Sequence, residues 1–267
     1  MKKLFLLLLP VLIFSCTEIE QFITLSDTSV TMFYDGTKQL SVSYSSDELK
    51  SKTYNYTSSD STIVSVTKAG LVSGVSIGSA TVKVTSTDGK YSAECNFTVS
   101  AKSMLYKEPY TVFGSSILTV KSKETRVLYH ETTTSLIYSD SDVDVRNVLY
   151  LFENGKSTSA CVLLTETTSV ATEVTTFLIE RYTYLGVSNS IYIFKERKTG
   201  NTLGLTVDNS LGLCVLYIPP TSASSVQIQN LVKSLDINAI NKSSMDSSSN
   251  ELIKIISNIP HINDTNR

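Results

Sequence analysis

The sequence predicts a β-rich protein with two folded domains: a β-sandwich over residues 22–100, then an α+β domain over residues 101–220 with a mainly antiparallel sheet and one or two helices. A length of 267 residues suits one or two domains. The chain has 14 Tyr, no Trp and only 18% charged residues, and it is rich in Ser and Thr, which favours strands over helical bundles. In the second half the hydrophobic period changes from two to that of a helix, which indicates a change of domain class.

The composition also argues against two classes of function. A formal charge of −2 supplies no clustered positive field, so we expect no nucleic-acid partner. The sequence contains two histidines, His130 and His261, which leave little from which to build a metal site or a proton relay. We therefore expect no catalytic residue, no metal and no cofactor.

The chain begins with a pattern typical of export signals. Lys2 and Lys3 precede an apolar run, Leu4–Phe14, which is too short to cross a bilayer core of about 30 Å as a helix. This pattern predicts a signal peptide over residues 1–15 rather than a transmembrane anchor.

Cys16 is the candidate lipidation site. The run Ile13-Phe14-Ser15-Cys16 resembles the lipobox of bacterial lipoproteins, in which a small residue precedes the cysteine that is acylated. The resemblance implies that residues 16–21 form a lipidated linker and that acyl chains hold the protein on a membrane. Thr17 follows Cys16, where many lipoproteins that stay in the inner membrane have Asp. We therefore expect the protein to be anchored in the outer membrane, a location compatible with exposure at the cell surface. The alternative is an ordinary secretory signal that contains a cysteine.

Residues 22–100 consist of short alternating segments separated by turn residues. Val30–Tyr34 alternate before Asp35-Gly36, and Tyr91–Val99 alternate after Asp88-Gly89. Asp-Gly pairs favour hairpins because both residues tolerate positive φ. About seven such strands in about 80 residues predict a sandwich.

The same stretch resembles the bacterial immunoglobulin-like domain, group 2. The likeness is most specific in SSDSTIVSV and AGLVSGVSIGSATVKV, where Gly70, Gly74 and Gly78 are expected at tight turns. Tyr56 departs from the pattern, which usually has Trp there. The resemblance implies an extracytoplasmic spacer or adhesion module, because family members occur in adhesins such as intimins and invasins and as accessory modules of cell-surface enzymes.

The segment Gly74-Val75-Ser76-Ile77-Gly78 also fits the nucleophile-elbow pattern of hydrolases. That chemistry needs a strand, a sharp turn, a following helix and a distant His. An alternating strand pattern follows Ser76 instead, so we expect the glycines to serve turn geometry.

Residues 101–220 begin with a short polar joint, 101–107, which predicts a semi-rigid connection to the sandwich. Val170, Val174 and Phe177 fall on one face of a predicted helix capped by Thr168 or Ser169 and continuing to Tyr182. The predicted strands are Arg126–His130, Ser135–Tyr138, Asn147–Phe152, Ser159–Leu164, Ser190–Lys195, Asn201–Val207 and Leu211–Ile218.

If a first helix follows Gly114, a helix followed by strands occurs twice in this domain. This order predicts an internal repeat in which each unit is a helix on a curved sheet. The region is similar to uncharacterised C-terminal domains of Gram-negative surface lipoproteins, a resemblance that implies no activity. Residues 221–267 are expected to be loosely ordered, with short helices at most. The apolar stretch Glu251–Ile259 is short but able to dock on the folded part.

An acidic run is the main candidate for a metal loop. Asp140, Asp142 and Asp144 alternate, but Val145 and Leu151 stand where an EF-hand needs Gly and Glu. We therefore expect a solvated acidic turn. The pairs His130-Glu131, Glu180-Arg181 and Glu196-Arg197 are interpreted as charge at a strand end, a helix end and a hairpin.

The cysteines other than Cys16 are odd in number, so they cannot all pair within the chain. Cys95 lies in a strand pattern of the first domain and reads as a core residue. Cys161 and Cys214 could meet across the second sheet, either as free buried thiols or as a bridge.

These patterns predict a non-catalytic, lipid-anchored cell-envelope protein that presents a binding or adhesion domain on an immunoglobulin-like spacer, with a glycan or protein ligand bound by residues 101–220. Two alternatives stay open: a surface hydrolase that uses carboxylates of the second domain, and an inhibitor or assembly lipoprotein that covers a partner protein. Two convergent carboxylates with shifted pKa values in a cleft would favour the hydrolase, and a flat aromatic sheet face would favour binding.

Overall fold

The computed structural model describes residues 20–220 and 249–259. The signal peptide, Cys16 and His261 lie outside these ranges, so the predictions about them stay predictions. None of the helices in the described ranges is long and apolar enough to cross a membrane.

The first unit is a β-sandwich built from nine short strands. A four-stranded sheet has the order β2-β9-β8-β5, a three-stranded sheet has the order β3-β7-β6, and β1 pairs with β4. Apolar side chains from these sheets form one core, which includes Val72, Val84 and Phe97. The strands are β1 Ile23–Leu25, β2 Ser29–Phe33, β3 Thr37–Gln39, β4 Val42–Tyr44, β5 Tyr54–Ser58, β6 Val64–Val66, β7 Leu71–Gly74, β8 Gly78–Ser86 and β9 Ser92–Ser100.

The sandwich confirms the predicted fold and adds detail to it. Helix α1 (Asp47–Lys50) was not predicted, because one turn capped by Ser46 is too short to produce a helical period. Gly70 has φ +80°, and a Cβ there would lie 2.8 Å from the Tyr56 ring, so this glycine lets Tyr56 pack on the backbone. Gly74 has no positive φ and ends β7, where a Cβ would lie 3.0 Å from the Phe33 carbonyl, so close approach rather than a turn requires it.

The second unit is an eight-stranded, fully antiparallel sheet with helices on one face. The strand order is β10-β11-β12-β13-β17-β16-β15-β14. Its helices are α2 Ile117–Lys123, α3 Thr168–Ile179 and α4 Ser249–Ile256. Its strands are β10 Val127–Glu131, β11 Ser135–Ser139, β12 Val145–Glu153, β13 Lys156–Leu164, β14 Thr183–Ser188, β15 Ile191–Lys195, β16 Thr202–Asp208 and β17 Gly212–Ile218.

The predicted internal repeat is confirmed by this order. A helix followed by four strands occurs twice, first as α2 with β10–β13 and then as α3 with β14–β17. The last strands of the two repeats, β13 and β17, pair with each other at the centre of the sheet. The first strand of each repeat forms an outer edge and contains a bulge, between Leu128 and His130 in β10 and between Tyr184 and Gly186 in β14.

The sheet has an apolar core on each face. Helices α2, α3 and α4 contribute Val120, Phe177 and Leu252 to the larger core. The opposite face has a smaller cluster of strand and turn residues, which includes Leu149, Leu163 and Leu216. Strand residues buried on both faces explain why β12, β13 and β17 are nearly continuous hydrophobic runs in the sequence.

Two expectations for the α3 region are corrected. The N-cap is Thr167, whose extended backbone lets its hydroxyl accept the Val170 amide at 3.2 Å, rather than Thr168 or Ser169. The helix ends at Ile179, before the Tyr182 that was assigned to its face. Strand β14 follows, and it was missed because its bulge interrupts the period of two on which strand prediction depends.

Helix α4 packs on the larger core through Leu252 and Ile256, and Ile259 just after the helix is buried in the same core. The apolar stretch Glu251–Ile259 was expected to be able to dock, within a segment predicted to contain short helices at most. Helix α4 confirms this for residues 249–259, because its apolar residues recur at helical spacing and are buried. Within residues 101–220 the structure has two helices, α2 and α3, as predicted.

Candidate functional site

Glu180 holds the joint between the two units. It directly follows α3, and its side chain is fully buried. The carboxylate accepts the backbone amides of Lys102 at 2.7 Å and Ser103 at 3.0 Å, and the Arg181 guanidinium donates to it at 2.6 Å. These three donors compensate the buried charge and fix the linker in place.

Arg181 ties the same linker to α3. Its guanidinium donates to the carbonyls of Ser103 at 2.8 Å and Phe177 at 3.1 Å, and it lies 3.7 Å from the centroid of the Phe177 ring. The Tyr106 ring stacks on Phe177 with centroids 4.3 Å apart. The chain is therefore clamped on both the polar and the apolar side as it leaves the sandwich.

Direct contacts also join the sandwich to the second unit. The Ile77 amide donates to the Glu180 carbonyl at 3.0 Å. Arg197, in the turn between β15 and β16, donates to the Thr62 carbonyl at 2.6 Å and to the Ser76 hydroxyl. Burial lowers the pKa of the Arg197 guanidinium. Together these contacts make the connection a docked joint.

Ser76 belongs to this joint. It is 4% exposed, and its hydroxyl donates to the Thr62 carbonyl at 2.9 Å while it accepts from Arg197. Strand β8 follows Ser76, where a nucleophile elbow would have a helix. The glycine pattern around it therefore serves a turn that meets the second unit.

A chain of buried tyrosines leads from the surface towards the larger core. The hydroxyls of Tyr106 and Tyr217 are 2.7 Å apart, and the Tyr182 hydroxyl bonds with Tyr217 and with Glu108. Burial raises the pKa of all three tyrosines, so they stay neutral and act as hydrogen-bonding groups.

Glu108 ends this chain at the surface. Its side chain is 44% exposed and lies 3.6 Å from the Arg181 Nε. Desolvation raises the pKa of Glu108, and Glu196 adds to the rise, while Tyr182 and Arg181 oppose it. Glu196 also accepts the Asn201 side-chain amide at 3.1 Å. Glu196 therefore lies close enough to Glu108 for its charge to raise the Glu108 pKa, as the paired carboxylates of a hydrolase do.

The acidic turn is only partly solvated. Asp140 pairs with Arg126 and is 13% exposed. Its carboxylate also accepts the Asp142 amide at 3.1 Å, and Asp142 accepts the Asp144 amide at 3.0 Å. The expectation of a solvated turn is therefore wrong for Asp140. No group of three metal-ligating side chains occurs in the part of the chain that the structure describes.

Cys95, Cys161 and Cys214 are buried and unbridged. Cys161 lies opposite Leu216 and Cys214 opposite Leu163 on the paired strands β13 and β17, so the two thiols are diagonal neighbours on one face. The hydrogen bond that the Cys214 thiol shares with Cys161, added to burial, raises the pKa of Cys214. The two thiols do meet across the sheet. Of the two predicted possibilities, free thiols or a disulfide, the structure has free thiols.

His130 and Glu131 lie exposed on the edge strand β10, as expected for a surface pair, and Glu131 binds Lys121 at 2.6 Å.

A hydroxyl-rich groove of about 480 Å³ lies beside the joint, on the outer face of α3. Its lining residues are Lys102, Ser103, Thr168, Ser169, Thr172, Glu173 and Thr176.

Comparison with known proteins identifies the sandwich. Residues 20–97 match the profile of the bacterial Ig-like domain (group 2). The sandwich is a bacterial Ig-like domain. This Ig-like domain makes up less than a third of the chain, and the match ends before the second unit. No curated protein matches the chain.

Several solved structures are similar over parts of the chain. A bacterial Ig-like domain containing GH10 xylanase from termite gut is 21% identical, with a TM-score of 0.22, over 30% of this chain and 21% of that one. Domains 1–6 of the surface layer protein SbsC are 17% identical, with a TM-score of 0.26, over 76% of this chain and 26% of that one. An intimin mutant of EHEC O157:H7 is 13% identical, with a TM-score of 0.23, over 70% and 86%. The chain thus spans about a fifth of the xylanase and a quarter of the surface layer protein.

Sequence reasoning missed the roles of Glu180 and Arg197, which were interpreted as charge at a helix end and a hairpin. One signal was present for Glu180. An acidic residue at a helix C-terminus is disfavoured by the helix dipole, so its presence there indicates a specific partner. Arg197 gave no such signal, because its partners are a carbonyl and a hydroxyl far away in the sequence.

Proposed function

We propose that the protein is a non-catalytic, lipid-anchored envelope protein in which the Ig-like domain holds a binding domain away from an outer membrane. The anchor would be Cys16 and the binding domain residues 101–220. The observation that supports this proposal is the placement of the two ends of the Ig-like domain.

The chain enters and leaves the Ig-like domain at opposite ends. At the entry, Gln21 accepts a hydrogen bond from the Tyr91 hydroxyl at 2.9 Å, beside the start of β9. At the exit, β9 ends at Ser100 opposite Phe33. A nine-residue strand separates these points by about 27 Å at ~3.4 Å per residue.

The second unit docks at the exit end. Lys102 pairs at 2.7 Å with Asp35, which lies two residues after the end of β2. Ile77, which precedes the Gly78 that pairs with Val99, contacts Glu180. An anchor at Cys16 and a binding surface on residues 101–220 would therefore be kept apart by the length of the sandwich.

The ligand that fits the second unit best is one with many hydroxyl groups or a peptide backbone. The groove along α3 presents threonine and serine hydroxyls with one ammonium and one carboxylate, which suit hydrogen bonding more than apolar contact. This supports a glycan or protein ligand as opposed to a hydrophobic small molecule.

Substitution of the anchor cysteine tests the proposal. Cys16→Ala in the full chain should move the protein from the membrane pellet to the soluble fraction, because one removed cysteine removes every acyl chain. The matched control Cys95→Ala should stay in the pellet, since Cys95 is a buried core residue. Membrane partition of Cys16→Ala equal to that of the wild type would refute the anchor.

A surface hydrolase is the second candidate, favoured by the raised pKa of Glu108 beside Glu196. An enzyme that uses Glu108 as its acid should lose about 100-fold or more of its activity in Glu108→Gln. Glu153→Gln, at an exposed hairpin, is the control. The assay is turnover of glycoside and peptide libraries by the full chain, and the absence of turnover in the wild type would exclude this candidate for those substrates.

A further inference from the structure

The Ig-like domain has one parallel strand pair, and it joins the second strand of the domain to its last strand. β2 pairs with β9 over five positions, from Ser29 opposite Asn96 to Phe33 opposite Ser100. The Asn96 amide opens this ladder with a hydrogen bond to the Thr28 carbonyl at 2.9 Å. Every other strand pair described in this domain is antiparallel.

The direction of the chain decides how a pulling force would act on this pair. A force on the upstream chain pulls β2 from its Ser29 end, whereas a force on the downstream chain pulls β9 from its Ser100 end. The two forces are opposed and lie along the strands. All hydrogen bonds of the ladder are then strained at the same time, as in shear, and none can open before the others.

We propose that the Ig-like domain acts as a mechanical clamp, in which the parallel β2–β9 ladder resists force applied between its entry and its exit. This goes beyond the proposed function, because the property follows from the strand order and does not depend on lipidation or on the ligand.

The neighbouring contacts extend the clamp at both strands. β8 holds the other side of β9 over eight paired positions, so β9 cannot slide without straining two ladders. Upstream, β1 pairs with β4 over only three positions, so it is expected to yield first and pass the force to β2. Downstream, Glu180 binds the amides of Lys102 and Ser103, two and three residues after β9, and passes force into the second unit.

Force spectroscopy on the unlipidated full chain tests the proposal by comparing two pulling directions. Handles at residues 16 and 267 load the domain from end to end. Handles at residue 16 and at Lys90→Cys, an exposed position beside Tyr91, pull on two points at the same end of the domain and open hydrogen bonds one after another. In the first geometry, the event that releases residues 23–100 is recognised by roughly 260 Å of new chain.

We expect the end-to-end direction to need at least about twofold more force than the same-end direction at equal loading rate. Val30→Pro, which removes a backbone amide from β2, should lower the end-to-end force and leave the same-end force unchanged. Equal forces in the two directions for the wild type would overturn the proposal, as would a Val30→Pro variant that lowers both forces equally.

Discussion

At the scale of single residues, Gly212 is required by its neighbour as well as by its own backbone. It has φ +71°, and a Cβ there would clash with the Glu166 Oε1. Glu166 has little room to move away, because its side chain is 7% exposed and is paired with Arg146 at 3.6 Å. The sequence predicts a strand over Leu211–Ile218, and it cannot indicate a carboxylate that arrives from the end of another strand.

Replacement of Gly212 by alanine should therefore cost more than backbone strain. Gly155 has φ +72° and no atom within 4 Å of a built Cβ, so Gly155→Ala measures the strain alone, about 1 kcal/mol. Gly212→Ala should lower the free energy of unfolding by at least about 2 kcal/mol, because the clash adds to the strain. Urea unfolding of both variants measures the difference, and equal losses would show that Glu166 moves freely.

At the scale of elements, a buried ionic cluster fixes α2 and β10 against the sheet. Arg126 and Glu124 have side chains 4% and 2% exposed and are paired at 3.0 Å. Glu124 also accepts the Tyr150 hydroxyl at 2.6 Å, while Arg126 reaches Asp140. The cluster joins the end of a helix, an edge strand and a strand-connecting turn, which explains why the short helix α2 is stable.

Asp140 should give this cluster a pH dependence. Burial alone would raise the pKa of Asp140, but the hydrogen bond and charge of Arg126 outweigh it, so the pKa lies below the ordinary value of 3.8. A carboxyl with a lowered folded-state pKa stabilises the fold above its unfolded-state pKa, and this stability is lost as the pH falls through the folded-state pKa.

Asp140→Asn should lower the free energy of unfolding by about 2 kcal/mol at pH 7, because it leaves the buried Arg126 with one carboxylate fewer. The variant should lose less stability than the wild type when the pH is lowered below about 4. Thermal unfolding between pH 2.5 and 7 measures both effects. Asp142→Asn, on the exposed part of the same turn, is the control, and the same pH profile for Asp140→Asn and the wild type would contradict the assignment.

The elements themselves were largely predictable, and the failures have physical reasons. The turn Asn154-Gly155 was predictable because both residues must take positive φ, and they have φ 50° and 72°. β14 was not, because a bulge breaks its alternation. The site was less predictable than the fold, since Glu180, Arg197 and Glu108 acquire their roles from partners distant in the sequence.

At the scale of the whole molecule, Arg197 is one of the side chains that join the two units. Arg197→Ala should weaken the docking by about 1–3 kcal/mol, since it removes a charged donor to the Thr62 carbonyl and the Ser76 hydroxyl. Lys198→Ala, the exposed neighbour, is the control.

Limited proteolysis after Lys102 and small-angle scattering would measure this loss of docking. Faster cleavage and a larger radius of gyration are expected for Arg197→Ala alone. A double-mutant cycle with Ser76→Ala isolates the bond between the two side chains, and strictly additive effects would show that this contact contributes nothing to the docking.

The central pairing of β13 with β17 also has a consequence for how the second unit folds. Every other pairing in its sheet joins strands that follow one another along the chain, so each repeat can assemble as a local meander. Only the central pair, β13 with β17, requires the chain to close a loop that contains the whole of β14–β16. We expect the pairing of β13 with β17 to form last. The meeting of the two preformed repeats is then the step that limits the folding rate of this unit.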